Sequence, residues 1–372
     1  MDLVPSVPSP EALSDAAANV WDRLVRGHLA DLRRMPSAIV DEGPQRTLRR
    51  YYPPPGRREL TGPPILLVPP LAAPAICFDL RRGCSLVEYL VGRGHPTYLI
   101  DYGEIAFADK DLGLEHWVDE VIPTSVRKVA QDAGDEPVHL VGWSLGGIMA
   151  LLVAADQPEL PLRSVAMFGS PFDVTEVPLV APLRPLVNVA NGVALGIVYR
   201  VLGGAPAPIV KRAYQLAGAE KYVTKPLALL RHLDDRDFLA QIEAVDYFMD
   251  HMLAYPGRTF GQLYHRVLRT NDLAKGSLKL GDRRIKLADV RVPVLSLAGT
   301  GDGIAPVKSV HHVGELLPNA AAVELATAPG GHLGVLTGRG ARRSSWPTLE
   351  TFVDAHADVP RRRRRRAGPA TA

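Results

Sequence analysis

Val138-His139-Leu140-Val141-Gly142-Trp143-Ser144-Leu145-Gly146-Gly147 decides the fold. Its first residues form a short apolar run of strand character, and Leu145 to Ala155 continues as an apolar helix. Between them lies Gly142-x-Ser144-x-Gly146, whose spacing has a steric reason. A serine on a sharp strand-to-helix turn has a strained backbone, and side chains two positions away on either side would collide. Glycine has no Cβ to collide with. Gly147 lets the new helix pack close to its neighbours. Such a turn lifts the Ser144 hydroxyl above the carboxyl end of the strand. The helix N-terminus behind it offers free N–H groups and a positive dipole end, which suit a developing oxyanion. The pattern predicts a nucleophile elbow with Ser144 as the nucleophile.

Outward from the elbow, strands and helices alternate. Glu11 to Met35 has helical periodicity, Leu48 to Tyr52 reads as a short strand, and Pro64 to Val68 is the next strand. A helix over Ser85 to Gly92, a strand over Pro96 to Ile100 and a long helix over Leu114 to Ala133, kinked at Pro123, lead to the elbow strand. Ser164 to Phe168, Val292 to Ala298 and Ala321 to Leu325 are further strands, and Trp346 to His356 is a closing helix. The alternation predicts an α/β fold with a mostly parallel sheet and helices on both faces. Sites in such sheets form at the carboxyl ends of the strands. The expected organisation is an N-terminal leader and helix over 1–45, a core over 46–171 and 287–358, a helical cap inserted over 172–286, and a disordered tail over 359–372.

The elbow in its strand-and-helix context resembles the α/β-hydrolase fold, whose catalytic residues follow in the chain order Ser, Asp, His. That order directs attention to two loops. Gly299-Thr300-Gly301-Asp302-Gly303 follows a late strand, where an orienting carboxylate belongs. Pro329-Gly330-Gly331-His332-Leu333-Gly334 follows the last strand and can aim a histidine back at the elbow. Ser144, Asp302 and His332 are therefore the expected triad. Asp101 and Asp173, also near strand ends, are rivals for the acid. His311 and His312 read as surface or packing residues, and Ser170 as a turn residue. The Leu145 N–H is one expected oxyanion donor. The loop after the Pro64–Val68 strand supplies the other, and since Pro69 and Pro70 carry no N–H, it falls to Leu71 or its neighbour Ala72.

Composition narrows the class. The 372 residues are 47% hydrophobic, enough for one large α/β core. Net charge is +3, but Arg361 to Arg366 contribute six positive charges, which leaves −3 for the rest of the chain. The body thus has no basic face for specific nucleic-acid binding. The two cysteines, Cys77 and Cys84, have no metal or redox spacing and suit a reducing, cytoplasmic setting. No metal or cofactor is expected. No secretory signal and no spanning helix are read from the sequence. Val177 to Val210 is apolar and rich in Pro and Gly. It reads as a cap packed on the body, a lid over an acyl site, or both; with the Arg tail, it is the expected contact for a lipid or polymer-granule surface.

Beyond the fold, the chain resembles the polyhydroxyalkanoate synthase family, in particular its short class that works with a partner subunit. The resemblance runs from about Met35 to Ala341. It rests on RTLRRYY at Arg46 to Tyr52, VPPLAAPAICFDL at Val68 to Leu80, Asp101-Tyr102-Gly103, LYHRVLRTNDLAKGSLKLGDRRIK at Leu263 to Lys286, and the VPVLSLAGTGDGIAP and GGHLG stretches. The resemblance implies Asp302 as the catalytic acid, His332 as the base, and a hydroxyacyl-coenzyme A substrate. It also implies cysteine at the elbow, where this chain has Ser144. A serine ester is less readily attacked by another hydroxyl than a thioester is. The expected function is therefore a serine hydrolase for carboxylic esters or thioesters with an apolar acyl part: a lipase, esterase, thioesterase or polyester depolymerase. Its alternative is an acyltransferase of the polyhydroxyalkanoate synthase type. Whether the chain forms a homodimer or takes a partner subunit is left open by the sequence.

Overall fold

Strand β3 (Ile65–Val68) and strand β5 (Val138–Trp143) are buried along their whole length. Their continuous apolar character follows from having helices on both faces rather than one. Successive side chains alternate between two cores. Leu66, Val68 and Leu140 join one, and Ile65, Leu67 and Val141 join the other. Helices α3 (Ile122–Asp132) and α4 (Leu145–Asp156) close the first face. Helices α2 (Leu86–Arg93) and α8 (Ser345–Ala355) close the second. Each large side chain so buried contributes about 1.5–3 kcal/mol.

The computed structural model of the chain describes residues 9–53, 60–177, 204–217 and 219–357. Eight strands form the main sheet: β1 (Ser37–Gly43), β2 (Arg46–Tyr51), β3, β4 (Thr97–Asp101), β5, β6 (Leu162–Phe168), β7 (Val294–Gly299) and β8 (Val323–Ala328), in spatial order β1-β2-β4-β3-β5-β6-β7-β8. Strand β2 runs antiparallel to both neighbours, and every pair from β4 to β8 is parallel. This is the α/β-hydrolase arrangement expected from the sequence.

Several boundaries differ from expectation. The sheet begins at Ser37, so the expected leader over 1–45 contains an edge strand. Edge strands leave one side in solvent and need no apolar run, which hides them from periodicity. Helix α1 (Pro10–Arg26) ends well before Met35, because Gly27 terminates it in the left-handed region at φ 75°. Pro123 does not kink a long helix. It occupies the first turn of α3, where its missing N–H is not needed, after a wide π-type turn over His116–Val121.

The insertion contains α5 (Ala207–Ala217), α6 (Ala219–Arg231) and α7 (Arg236–Asp250). It is not helical to Lys286 as expected. Ser277–Leu280 and Arg283–Lys286 pair as an antiparallel hairpin, and Leu278, Leu280 and Ile285 pack into the core shared with α4. These residues belong with the body, and their period-2 pattern was too short to stand out. Residues 178–203 of the apolar stretch and the Arg361–Arg366 tail lie outside the described residues. Among the described residues, no helix is long and apolar enough to cross a membrane.

Candidate active site

The elbow forms as the glycine spacing requires. Ser144 has φ 52° and ψ −123°, a region that costs a non-glycine residue about 1–3 kcal/mol. The surroundings hold it there. Its N–H donates to the Phe168 carbonyl at 2.8 Å, and its own carbonyl accepts from the Ser170 hydroxyl at 2.8 Å. A Cβ on Gly142 would strike the Gly147 backbone, and one on Gly146 would strike the Val68 carbonyl. The same contact shows how tightly the loop after β3 packs against the start of α4.

Two neighbouring parallel strands place the acid and the histidine. Strands β7 and β8 pair in register from Val294↔Val323 to Gly299↔Ala328, so the loops that follow them run side by side. Thr300 N–H donates to Ala328 O and Gly301 N–H to Gly330 O, both at 2.9 Å. Asp302 thereby faces His332. His332 Nδ1 lies 2.8 Å from Asp302 Oδ2, and His332 Nε2 lies 2.9 Å from Ser144 Oγ. The other carboxylate oxygen, Oδ1, accepts from the Ile304 and Ala305 N–H groups at 2.8 Å each. With both carboxylate oxygens hydrogen-bonded, the Asp302 side chain is fully buried and His332 is 8% exposed, while Ser144 stays partly open. A buried carboxylate beside Nδ1 favours the tautomer with its proton there, leaving the Nε2 lone pair toward the serine.

The structure therefore brings Ser144, His332 and Asp302 into one hydrogen-bonded chain. It leaves the rivals elsewhere. Asp101 accepts from the Gly103 N–H, and Asp173 caps the turn at Thr175 and holds Asn271. His311 and His312 bond to the carbonyls of Ala326 and Ala274. Leu145 opens helix α4, ahead of the Gly147 and Ile148 N–H groups that the Ser144 carbonyl occupies. Leu71 is buried in the turn after β3, and Ala72 beside it has φ 64°. Cys77 and Cys84 are buried free thiols.

Sequence reasoning passed over three supporting residues. The Trp143 indole N–H donates to the His332 carbonyl at 3.0 Å, and its ring lies 5.3 Å from the imidazole. Ser170, read as a turn residue, is wholly buried against the elbow. Gly169 adopts φ 54°, the left-handed region that favours glycine, directly beside Asp302 and His332. The parallel register Trp143↔Phe168, which puts 169 and 170 beside the elbow, exists only once β5 and β6 pair. The position of Trp143 inside the motif was the one visible signal.

At the other end of β5, His139 bonds Ser164 Oγ through Nδ1 at 2.6 Å and stands apart from this chain. Burial, reinforced by Arg163, His95 and His356, lowers its pKa from 6.5 to about 3. The unfolded chain therefore binds more protons than the folded one between those values. Stability should be complete above about pH 6.5 and decline as pH falls toward 3, by up to about 1.4 kcal/mol per pH unit from this group. Urea unfolding of wild type and His139→Gln at pH 7 and pH 5 checks this. A variant that loses as much stability as wild type between the two would refute it.

A protein-family model described as the alpha/beta hydrolase fold matches residues 63–195. The poly(3-hydroxyalkanoate) polymerase subunit PhaC of Allochromatium vinosum is 25% identical over 339 residues, covering 90% of this chain and 92% of that protein. The subunit of the same name from Haloferax mediterranei is 25% identical over 299 residues, where the match spans 80% of this chain but only 59% of the relative. Among solved structures, the esterase RhEst1 from Rhodococcus sp. ECU1013 superposes with a TM-score of 0.51 at 15% identity, covering 87% of this chain and 100% of that one. By its sheet and by these likenesses, the chain is a protein of the α/β-hydrolase fold that resembles, over 90% of its length, a poly(3-hydroxyalkanoate) polymerase subunit.

Proposed function

We propose that this protein is a serine hydrolase that cleaves esters or thioesters with an apolar acyl part through a covalent Ser144 intermediate. The observation that carries the reading is the hydrogen-bonded chain from Ser144 Oγ through His332 to the buried Asp302 carboxylate. In this mechanism His332 Nε2 takes the serine proton as Oγ attacks the acyl carbonyl. The tetrahedral oxyanion is held by the Leu145 N–H together with that of Leu71 or Ala72. His332 then returns the proton to the leaving alcohol or thiol, and the carbon–leaving-group bond breaks. Water, deprotonated by His332, attacks the acyl-enzyme and releases the free acid and Ser144. Asp302 holds the imidazole tautomer and balances the transient imidazolium throughout. One oxyanion donor is typically worth about two to three orders of magnitude in rate.

The likeness to polymerase subunits favours a second reading, in which a hydroxyacyl group rather than water takes the acyl chain. Both readings share every step up to the acyl-enzyme. Supporting the first is the serine, since its ester resists attack by another hydroxyl more than a thioester would. Product analysis separates them. Purified protein is offered p-nitrophenyl esters of graded chain length and then 3-hydroxyacyl-coenzyme A. Free acid as the main product is expected. Oligomeric ester with little free acid would move the protein to the acyltransferases. A protein that turned over none of these would sink both readings.

A further inference from the structure

Strands β5 and β8 are not neighbours: β6 and β7 lie between them, which separates the elbow strand from the strand before His332 by about 14 Å. One side chain nevertheless joins them directly. Trp143, the residue before the nucleophile, is buried, and its indole N–H donates to the His332 carbonyl at 3.0 Å. The neighbouring carbonyls of the same loop accept backbone groups: Gly331 O from the Val335 N–H at 2.9 Å, and Leu333 O from those of Leu336 and Thr337 at 3.1 and 3.0 Å. The indole thus serves the loop as a backbone donor would. Its ring also lies against the imidazole, with centroids 5.3 Å apart and planes at 41°. Both contacts matter because the loop by itself holds the histidine poorly. It is rich in glycine, with Gly330 at φ 132°, and glycine loses the most freedom on ordering. The bonds to Asp302 Oδ2 and Ser144 Oγ fix mainly the line through the two ring nitrogens. Tilt about that line is stopped by a contact on the ring, and Trp143 supplies one.

Trp143 is itself held by the insertion. The buried Phe248 of α7 lies 6.1 Å from the indole, with planes at 58°. Helix α7 is in turn clamped to the body, where the buried Arg81 guanidinium donates to Asp237 at 2.6 Å and to Gln241 at 3.0 Å. Phe248, Trp143 and His332 therefore form a continuous row of rings from the insertion to the catalytic base. We propose that Trp143 is a positioning residue for His332 and that Phe248 acts on the base through it, so that the docked insertion helix sets the reactivity of the site. The assignment rests on the acyl-enzyme reading above. Neither residue makes or breaks a bond. They hold the imidazole where the Ser144 proton passes to Nε2, and a misplacement of about 1 Å there can cost about a hundredfold in rate.

The test uses the full chain with Trp143→Phe, Trp143→Leu, Phe248→Ala and the double variant Trp143→Leu/Phe248→Ala, each assayed on a p-nitrophenyl ester well below its unfolding temperature. Trp143→Leu removes both the N–H and the ring and should lower kcat about a hundredfold, with KM within about threefold of wild type. Trp143→Phe restores a ring without the donor and should recover part of that loss, to about tenfold below wild type. Phe248→Ala should cost about fivefold, and the double variant should be no slower than Trp143→Leu alone, because Phe248 has then lost the group it acts through. A second readout needs no turnover: the downfield proton resonance of the His332 Nδ1–H on Asp302, assigned by its loss in Asp302→Asn. It should broaden in Trp143→Phe and in Phe248→Ala as the ring gains freedom. If wild type turned over no ester and the variants still broadened this signal, the acyl-enzyme reading would fall and the positioning role would stand. An unchanged resonance with kcat within twofold of wild type in Trp143→Phe, even with a lower unfolding temperature, would leave Trp143 a packing residue and overturn the proposal. Single losses that multiply in the double variant would also overturn it, by showing that Phe248 does not act through Trp143.

Discussion

Ser144→Ala is expected to lower kcat by about a millionfold on every substrate the wild type accepts, with little change in thermal unfolding. The size follows from the geometry. His332 Nε2 lies 2.9 Å from Oγ, so removing Oγ takes away both the attacking atom and the proton that His332 handles. What remains is binding and the oxyanion donors, which by themselves leave only a modest rate over water. The fold should survive, because the elbow is held by backbone bonds to Phe168 and Ser170 that alanine retains. The strained φ of 52° is borne by alanine no worse than by serine. A fluorophosphonate probe should label wild type and fail on the variant. Labelling that persisted, or turnover within tenfold of wild type, would remove Ser144 from the mechanism.

Asp302→Asn carries the second large effect, a fall in kcat of about ten-thousandfold with KM nearly unchanged. Asp302 Oδ1 accepts two backbone N–H groups, and an asparagine carbonyl oxygen can take over that position. Its amide nitrogen must then face His332 Nδ1. An N–H donor there forces Nδ1 to accept, moves the ring proton to Nε2, and leaves Ser144 Oγ without a base. The loss is thus one of tautomer rather than of structure. Asp101→Asn and Asp173→Asn serve as controls, since neither carboxylate bonds to His332, and each should stay within about threefold of wild type. If Asp302→Asn kept more than a tenth of the activity, or a control lost as much, the acid would be misassigned.

The two substitutions probe features of different legibility. The elbow could be read from six residues, because a strained serine between a strand and a helix admits glycine and little else on either side. The order of the loops bearing Asp302 and His332 was readable too, since both follow strands that announce themselves as apolar runs. The hairpin at 277–286 and strand β1 were not readable. Each is short and covers only one apolar face, and their identity comes from what they pack against. Trp143 and Ser170 show the same limit at the site: their partners, the His332 and Ser144 carbonyls, are backbone atoms with no sequence signature.

By itself, the sequence determined the class of fold, the turn that exposes Ser144, and the candidates for acid and base, because these depend on local sterics and on the period of burial. Chain order put Asp302 ahead of its rivals Asp101 and Asp173, but only the tertiary structure, by pairing the strands before Asp302 and His332 side by side, shows which carboxylate meets the imidazole. It alone also gathered Lys110 from the loop after β4 with His265, Arg266 and Arg269 from the insertion into one basic cavity. Residues far apart in the chain come to line one wall only when the insertion packs against the body, and no spacing rule encodes that.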